Sequence, residues 1–308
     1  MFEQWYWPVL ASLVVGNVLG PVVMKRVSGQ FDRTRQQVIT YSTILSLTVV
    51  WFWLAGRGRF DLSRHFLPIL LAGLANGLAV YCQWRAVDIS LAKSSAFTFL
   101  DDAIGIGLAA IFLGEWAELD WLNSLGIGLG ILAVGLAARR DWRRRAGAAN
   151  QPEAKANDPR LYLFVAVFSL IWGGIIVLMR KWGSVDAVPV VTFLLAWYAG
   201  STISAWTLYF LARRRFPRAP ESPSVRRLGD ALWPVVLAVL VLASTALTYV
   251  AYQRAPLVIV QPIFLVAAMV LPTLIGLFFF RERKNLTGID WFLLALAALG
   301  GLVVSLTK

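Results

Sequence analysis

The chain reads as an all-α integral membrane protein with ten transmembrane helices, arranged as two inverted five-helix repeats. Three observations predict this. Of the 308 residues 58% are hydrophobic and only 15% charged, whereas a soluble domain carries about 25% charged residues; mean hydropathy is +0.67. Ten apolar segments of bilayer-crossing length follow one another with mostly short connections. The segments also fall into two sets of five that share marks. The third segment ends Tyr81-Cys82-Gln83-Trp84-Arg85-Ala86 in one set and Tyr252-Gln253-Arg254-Ala255 in the other, and the fourth closes on Leu113-Gly114-Glu115 and Phe280-Arg281-Glu282. The stretches Ala86 to Glu115 and Ala255 to Glu282 are nearly equal in length, as are Glu115 to Gly135 and Glu282 to Gly301. Five crossings per set invert the second set in the bilayer, a building plan of secondary transporters whose site lies near the midplane between the halves.

Taken in order, spans are expected at about 6–24, 36–55, 66–84, 94–113, 119–138, 161–180, 188–211, 232–253, 258–280 and 287–306. The first is expected to be retained, being too long and too aromatic at its start (Trp5, Tyr6, Trp7) for a signal peptide. Trp121, Tyr162, Trp233 and Trp291 lie near segment ends, as a headgroup belt requires. The fifth span contains Gly126-Ile127-Gly128-Leu129-Gly130, a run suited to close helix packing rather than to phosphate binding. The ninth is flanked or crossed by Pro256, Pro262 and Pro272, which bend a helix or free its carbonyls. This division gives a first repeat at 1–138, a basic linker at 139–160 and a second repeat at 161–308. The linker and a second stretch at 213–230 are rich in Arg, Pro and Ala and read as solvated, with an amphipathic surface helix at Asp141–Ala149 as the alternative within the linker.

A net charge of +12 raises the question of nucleic acid, but the bases cluster in the connections. That is the pattern of membrane topology and argues against a nucleic-acid partner. Most of the 29 Lys and Arg fall in odd-numbered connections: Lys25 to Arg35, Arg85 and Lys93, the central linker, the stretch after span seven, and Arg281 to Lys284. The linker is therefore expected in the cytoplasm and both termini outside, with a bacterial inner membrane as the location. The single cysteine, Cys82, excludes an intramolecular disulfide and reads as a small packing residue.

With the repeat in view, the chain resembles the EamA-type carriers of the drug/metabolite transporter superfamily over essentially its whole length, as two EamA-like units. The fourth span carries Ser94-Ser95-Ala96-Phe97-Thr98-Phe99-Leu100-Asp101-Asp102 and then Leu113-Gly114-Glu115, similar to the family's small-polar run, Leu-Glu-Pro and Leu-Gly-Glu. Asp101 falls on the family's acidic position and Asp102 on its proline. The sixth span, Ile171-Trp172-Gly173 to Met179-Arg180-Lys181, resembles the Trp-Gly opening of a unit; Gly16-Asn17 to Met24-Lys25 in the first span lacks the tryptophan. The resemblance implies a secondary transporter of a small organic solute, metabolite or drug, working by alternating access and leaning toward export. Members are often described with both termini in the cytoplasm, the reverse of the charge count here.

No catalytic constellation is visible. One histidine, His65, leaves neither a Ser/His/Asp relay nor a His-rich metal site, and there is no GxxxxGK[ST] loop for ATP. No enzyme activity, cofactor or metal is expected. Asp101 and Asp102 are the candidate coupling residues, with protons as the candidate coupling ion. An ionised carboxylate in mid-span costs about 2.5–3.5 kcal/mol on insertion scales, and such acids usually face a cavity. Neighbours on a helix point about 100° apart, so one would serve the lumen while the other pairs, with Arg85 or Lys93 as candidate partners. Asn17, Asn76, Tyr81, Gln83, Trp172, Tyr198, Tyr249, Tyr252 and Gln261 are polar or aromatic away from most helix ends and are the candidate cavity residues. Aromatic walls with a few amides suit a small amphipathic solute, while each residue alone serves equally as helix-packing glue. Glu115 and Glu282 are expected to tie short loops at the surface, and Arg85 and Arg254 to snorkel. The rival function is a non-transporting membrane scaffold or lipid-handling protein with a degenerate carrier fold.

Overall fold

The computed structural model describes residues 6–27, 33–55, 64–97, 99–113, 121–147, 158–215, 228–254, 257–282 and 286–306. Helices cover all ten apolar segments, and the described residues contain no strand. In chain order they are α1 (Tyr6–Ser12), a π-helical stretch (Leu13–Leu19) and α2 (Gly20–Val27) as one continuous rod; α3 (Arg33–Ala55); α4 (Phe66–Ile89); α5 (Leu91–Phe97); α6 (Phe99–Leu113); α7 (Trp121–Gly147); α8 (Arg160–Arg180) with π-helical Lys181–Val185; α9 (Val190–Arg215); α10 (Leu228–Arg254); α11 (Leu257–Leu274) with π-helical Ile275–Phe279; and α12 (Gly288–Leu306). Six of them are long and apolar enough to cross a membrane: Trp7–Val27, Arg33–Leu54, Phe66–Ile89, Leu91–Phe112, Arg160–Val185 and Leu232–Arg254. Ile263–Phe279 and Gly288–Val303 are shorter apolar helices.

Local sequence explains several boundaries. Pro68 is the third residue of α4, where a missing N–H costs little. Pro21 falls inside the first rod, and its ring displaces the carbonyl four residues back. The chain widens there, and Gly20 N–H reaches Val15 O across the π turn. Thr287-Gly288-Ile289-Asp290 opens α12 as a capping box, with Asp290 Oδ2 accepting from Thr287 N–H at 2.8 Å and from Thr287 Oγ1 at 2.7 Å. The fifth helix runs past residue 138 to Gly147, so the first part of the basic stretch, Arg139–Gly147, is helical.

The helices group into two units, each drawn from both halves of the chain. Unit 1 is Met1–Tyr81 with Leu178–Arg254; unit 2 is Cys82–Val177 with Ala255–Lys308. In unit 1 α3 packs along α9, and α10 packs against α1, α2 and α3. Its aromatic core stacks Phe193 on Tyr249 at 4.0 Å and on Trp197 at 5.5 Å. In unit 2 α7 runs along α12, and α11 packs on α5, α6 and α12 around Phe97, Leu161, Leu265, Met269 and Leu293.

Small residues permit the closest crossings. A Cβ on Gly200 of α9 would lie 2.0 Å from Leu70 O of α4, and Gly73 of α4 faces Trp197 O in the same seam. In unit 2 Gly300 of α12 lies against Gly126 and Gly130 of α7, while Gly128 points into open space. Close packing thus accounts for two of the three glycines in that run. Gly200→Ala is expected to destabilise by about 1–3 kcal/mol, as overpacking does, whereas Gly128→Ala stays within about 0.5 kcal/mol. Thermal melts of the purified chain in detergent check both.

Candidate functional site: buried acids and the polar seams

Asp101 and Asp102 occupy the first turn of α6 and are 7% and 6% exposed. Gln261 of α11, itself buried, donates from Nε2 to Asp102 Oδ1. A candidate coupling residue and a candidate cavity residue are thereby joined, one from each sequence half. Trp172 stacks on Phe168 at 6.1 Å on α8, next to Gly173, whose missing side chain lets α8 approach Asp101 O.

The expected basic partners of the acid pair are placed otherwise. Arg85 is exposed. Lys93 is 3% exposed and holds Asp141 Oδ2 at 3.1 Å and Asp290 Oδ1 at 3.3 Å. Arg140 also pairs with Asp290, and Tyr162 OH donates to Asp141 Oδ2 at 2.8 Å. Four helices, α5, α7, α8 and α12, thus meet in a buried network of two bases and two acids. Its physical reason is mutual neutralisation: one unpaired buried charge would cost several kcal/mol, and the four together carry no net charge.

Glu282 accepts from Ser90 Oγ at 2.8 Å and from the backbone N–H of Leu91 and Ala92 at 3.1 and 3.0 Å. It closes the start of α5, satisfying N–H groups that have no partner within the helix. Glu115 and Pro256 lie outside the described residues.

Unit 1 holds a second polar seam. Asn76 Nδ2 donates to Ser201 Oγ at 3.0 Å and to Tyr41 Oη at 3.4 Å. Gln37 Nε2 donates to Gly77 O, and Thr202 Oγ1 to Tyr41 O at 3.1 Å. Tyr198, whose ring lies 6.1 Å from that of Tyr41, donates to Thr245 Oγ1 at 2.8 Å. Tyr249 OH donates to Val188 O at 3.0 Å, and Arg180 Nη1 to Tyr252 O at 2.6 Å. Asn76, Tyr198, Tyr249 and Tyr252 are therefore buried in unit 1, while Asp101, Asp102, Trp172 and Gln261 belong to unit 2. Asn17, in the first π turn, Tyr81 and Gln83 are half-buried.

Sequence reasoning missed Gln37, Tyr41, Ser201 and Thr202, and the whole Lys93 network. A signal existed in α3: Gln36 and Thr40, and Gln37 and Tyr41, repeat at four-residue spacing, which stacks polar groups on a helix face. Gln37 Oε1, Asn76 Oδ1 and Thr40 Oγ1 are buried without a hydrogen-bond partner among the described residues.

Lys93→Met is expected to destabilise by about 3–5 kcal/mol, because it leaves two buried carboxylates sharing the single Arg140 guanidinium. Adding Asp141→Asn should recover part of that loss, which a double-mutant cycle on melting temperatures measures.

The sequence matches no protein-family model and no curated protein. Among solved structures the chain is similar to one described only as "Crystal structure of protein". The TM-score is 0.59 at 15% identity, covering 97% of this chain and 95% of that one. At that identity the likeness is one of fold alone.

Proposed function

We propose that the protein is a secondary transporter of a small organic solute, with ten membrane spans in two inverted five-helix repeats and alternating access between them. The observation that carries this reading is the pairing of counterpart segments from the two halves. The second segment packs on the seventh (α3 on α9), the fourth on the ninth (α5 and α6 on α11), and the fifth on the tenth (α7 on α12). Counterparts that pack on each other are what a pseudo-two-fold axis in the membrane plane generates. Six helices suited to crossing a bilayer support the membrane setting.

The Asp101–Asp102 pair with Gln261 is the proposed coupling centre. It joins an acid from one half to an amide from the other, close to where α6 begins. Intramembrane acids of this kind mark substrate and proton pathways, and a proton is the simplest ion to exchange there. The solute is proposed to be small and amphipathic, matched to buried Tyr and Trp rings with scattered amides. Direction is proposed as export, on the family resemblance, and the location as a bacterial inner membrane.

Proteoliposomes carrying the full chain test the reading. After a thermal-shift screen has supplied a solute, uptake is expected to respond to an imposed pH gradient. Asp101→Asn should reduce that response by at least ten-fold while leaving the melting temperature near wild type. Uptake that ignores the gradient in the wild type would remove the coupling role, and no uptake of any stabilising solute would favour the scaffold.

A further inference from the structure

We propose that the outward face at the end of α7, formed by Arg139, Trp142 and Arg143, docks the headgroups of anionic phospholipids. The inference rests on the membrane setting and not on transport. α7 continues past its apolar part as helix to Gly147, adding nine residues or about 14 Å. Its charged side chains there sort by direction. Asp141 is 1% exposed and bonded to Lys93 and Tyr162, and Arg140 turns to Asp290. The inward set balances itself, two bases against two acids. Among the described residues of this helix end no acid faces outward, and there Arg139 and Arg143 are exposed and Trp142 is 69% exposed.

That face continues an exposed apolar line on the same helix, Leu125, Leu132 and Leu136. From Leu132 the steps to Leu136, Arg139 and Arg143 are four, three and four residues, so they share one side of the helix. Acyl chains lying along the leucines bring their phosphate to the two guanidinium groups. Arginine pairs well with phosphate oxygens, and an exposed tryptophan at that depth matches the amphipathic headgroup zone. A zwitterionic lipid carries its own ammonium beside the phosphate, so charge complementarity favours the anionic class.

Native mass spectrometry of the full chain in detergent, titrated with phosphatidylglycerol and with phosphatidylcholine of identical tails, tests this. Phosphatidylglycerol is expected to bind more tightly. At about five-fold per charge, Arg139→Gln with Arg143→Gln should weaken it about 25-fold. Arg139→Lys with Arg143→Lys should retain most of the preference, and Trp142→Ala should weaken both lipids. Equal binding of the two lipids by the wild type would overturn the proposal, as would an unchanged preference in the glutamine variant. Displacement of phosphatidylglycerol by equimolar inorganic phosphate would also overturn it, since the site would then read free phosphate. Failure of the chain to partition into membranes at all would instead remove the membrane setting.

Discussion

The constraint on which the rest of the structure depends is that a polar group inside an apolar helix bundle has no water to turn to. Buried charges and amides must therefore find partners within the protein, and where those partners lie on another helix they help fix which helices touch. Lys93 shows the consequence. Placed in a seven-residue helix that is buried throughout, it draws Asp141 from α7 and Asp290 from α12 onto itself. Tyr162 and Arg140 complete the set, so that one lysine positions the ends of four helices. A hydrophobic cluster of the same volume could match such a network in stability. What the charges add is direction, since hydrogen bonds with fixed partners specify register where apolar contacts do not.

The same rule orders unit 1 with neutral groups. Asn76, Ser201, Gln37 and Tyr41 link α3, α4 and α9 through uncharged side chains. Glycines and serines there bring the backbones so near that a carbonyl becomes the available acceptor. Close approach and hydrogen bonding are thus one device: Gly73 admits Trp197, and Ser201 then bonds Gly73 O at 3.0 Å.

Helix placement was legible in the sequence, because long apolar runs leave few alternatives for a backbone that must satisfy itself. Helices lie on all ten segments. The fate of charges near segment ends was not legible. Asp141 sits among arginines and reads as part of a solvated linker; its actual partner Lys93 is 48 positions away, beyond anything local pattern reveals. Lys93 was equally misassigned, since proximity along the chain made it a candidate for Asp101 and Asp102. The pairing of Asp102 with Gln261 spans 159 positions. Both residues stood out individually as polar groups in apolar segments, but only the packing of α6 on α11 joins them.

The contrast between the two acid sets bears on the proposed mechanism. Asp141 and Asp290 are neutralised by Lys93 and Arg140, so a proton arriving there would break an ion pair and unbalance four helices. Asp102 has an amide as its hydrogen-bond partner, and an amide offers both a donor and an acceptor. Gln261 can donate to the carboxylate or accept from the carboxylic acid after a rotation of its amide, keeping one bond in either state. On the transport reading that difference separates a structural acid from a working one. The network around Lys93 would hold its helices through the cycle, and the α6–α11 contact would change with the proton it carries.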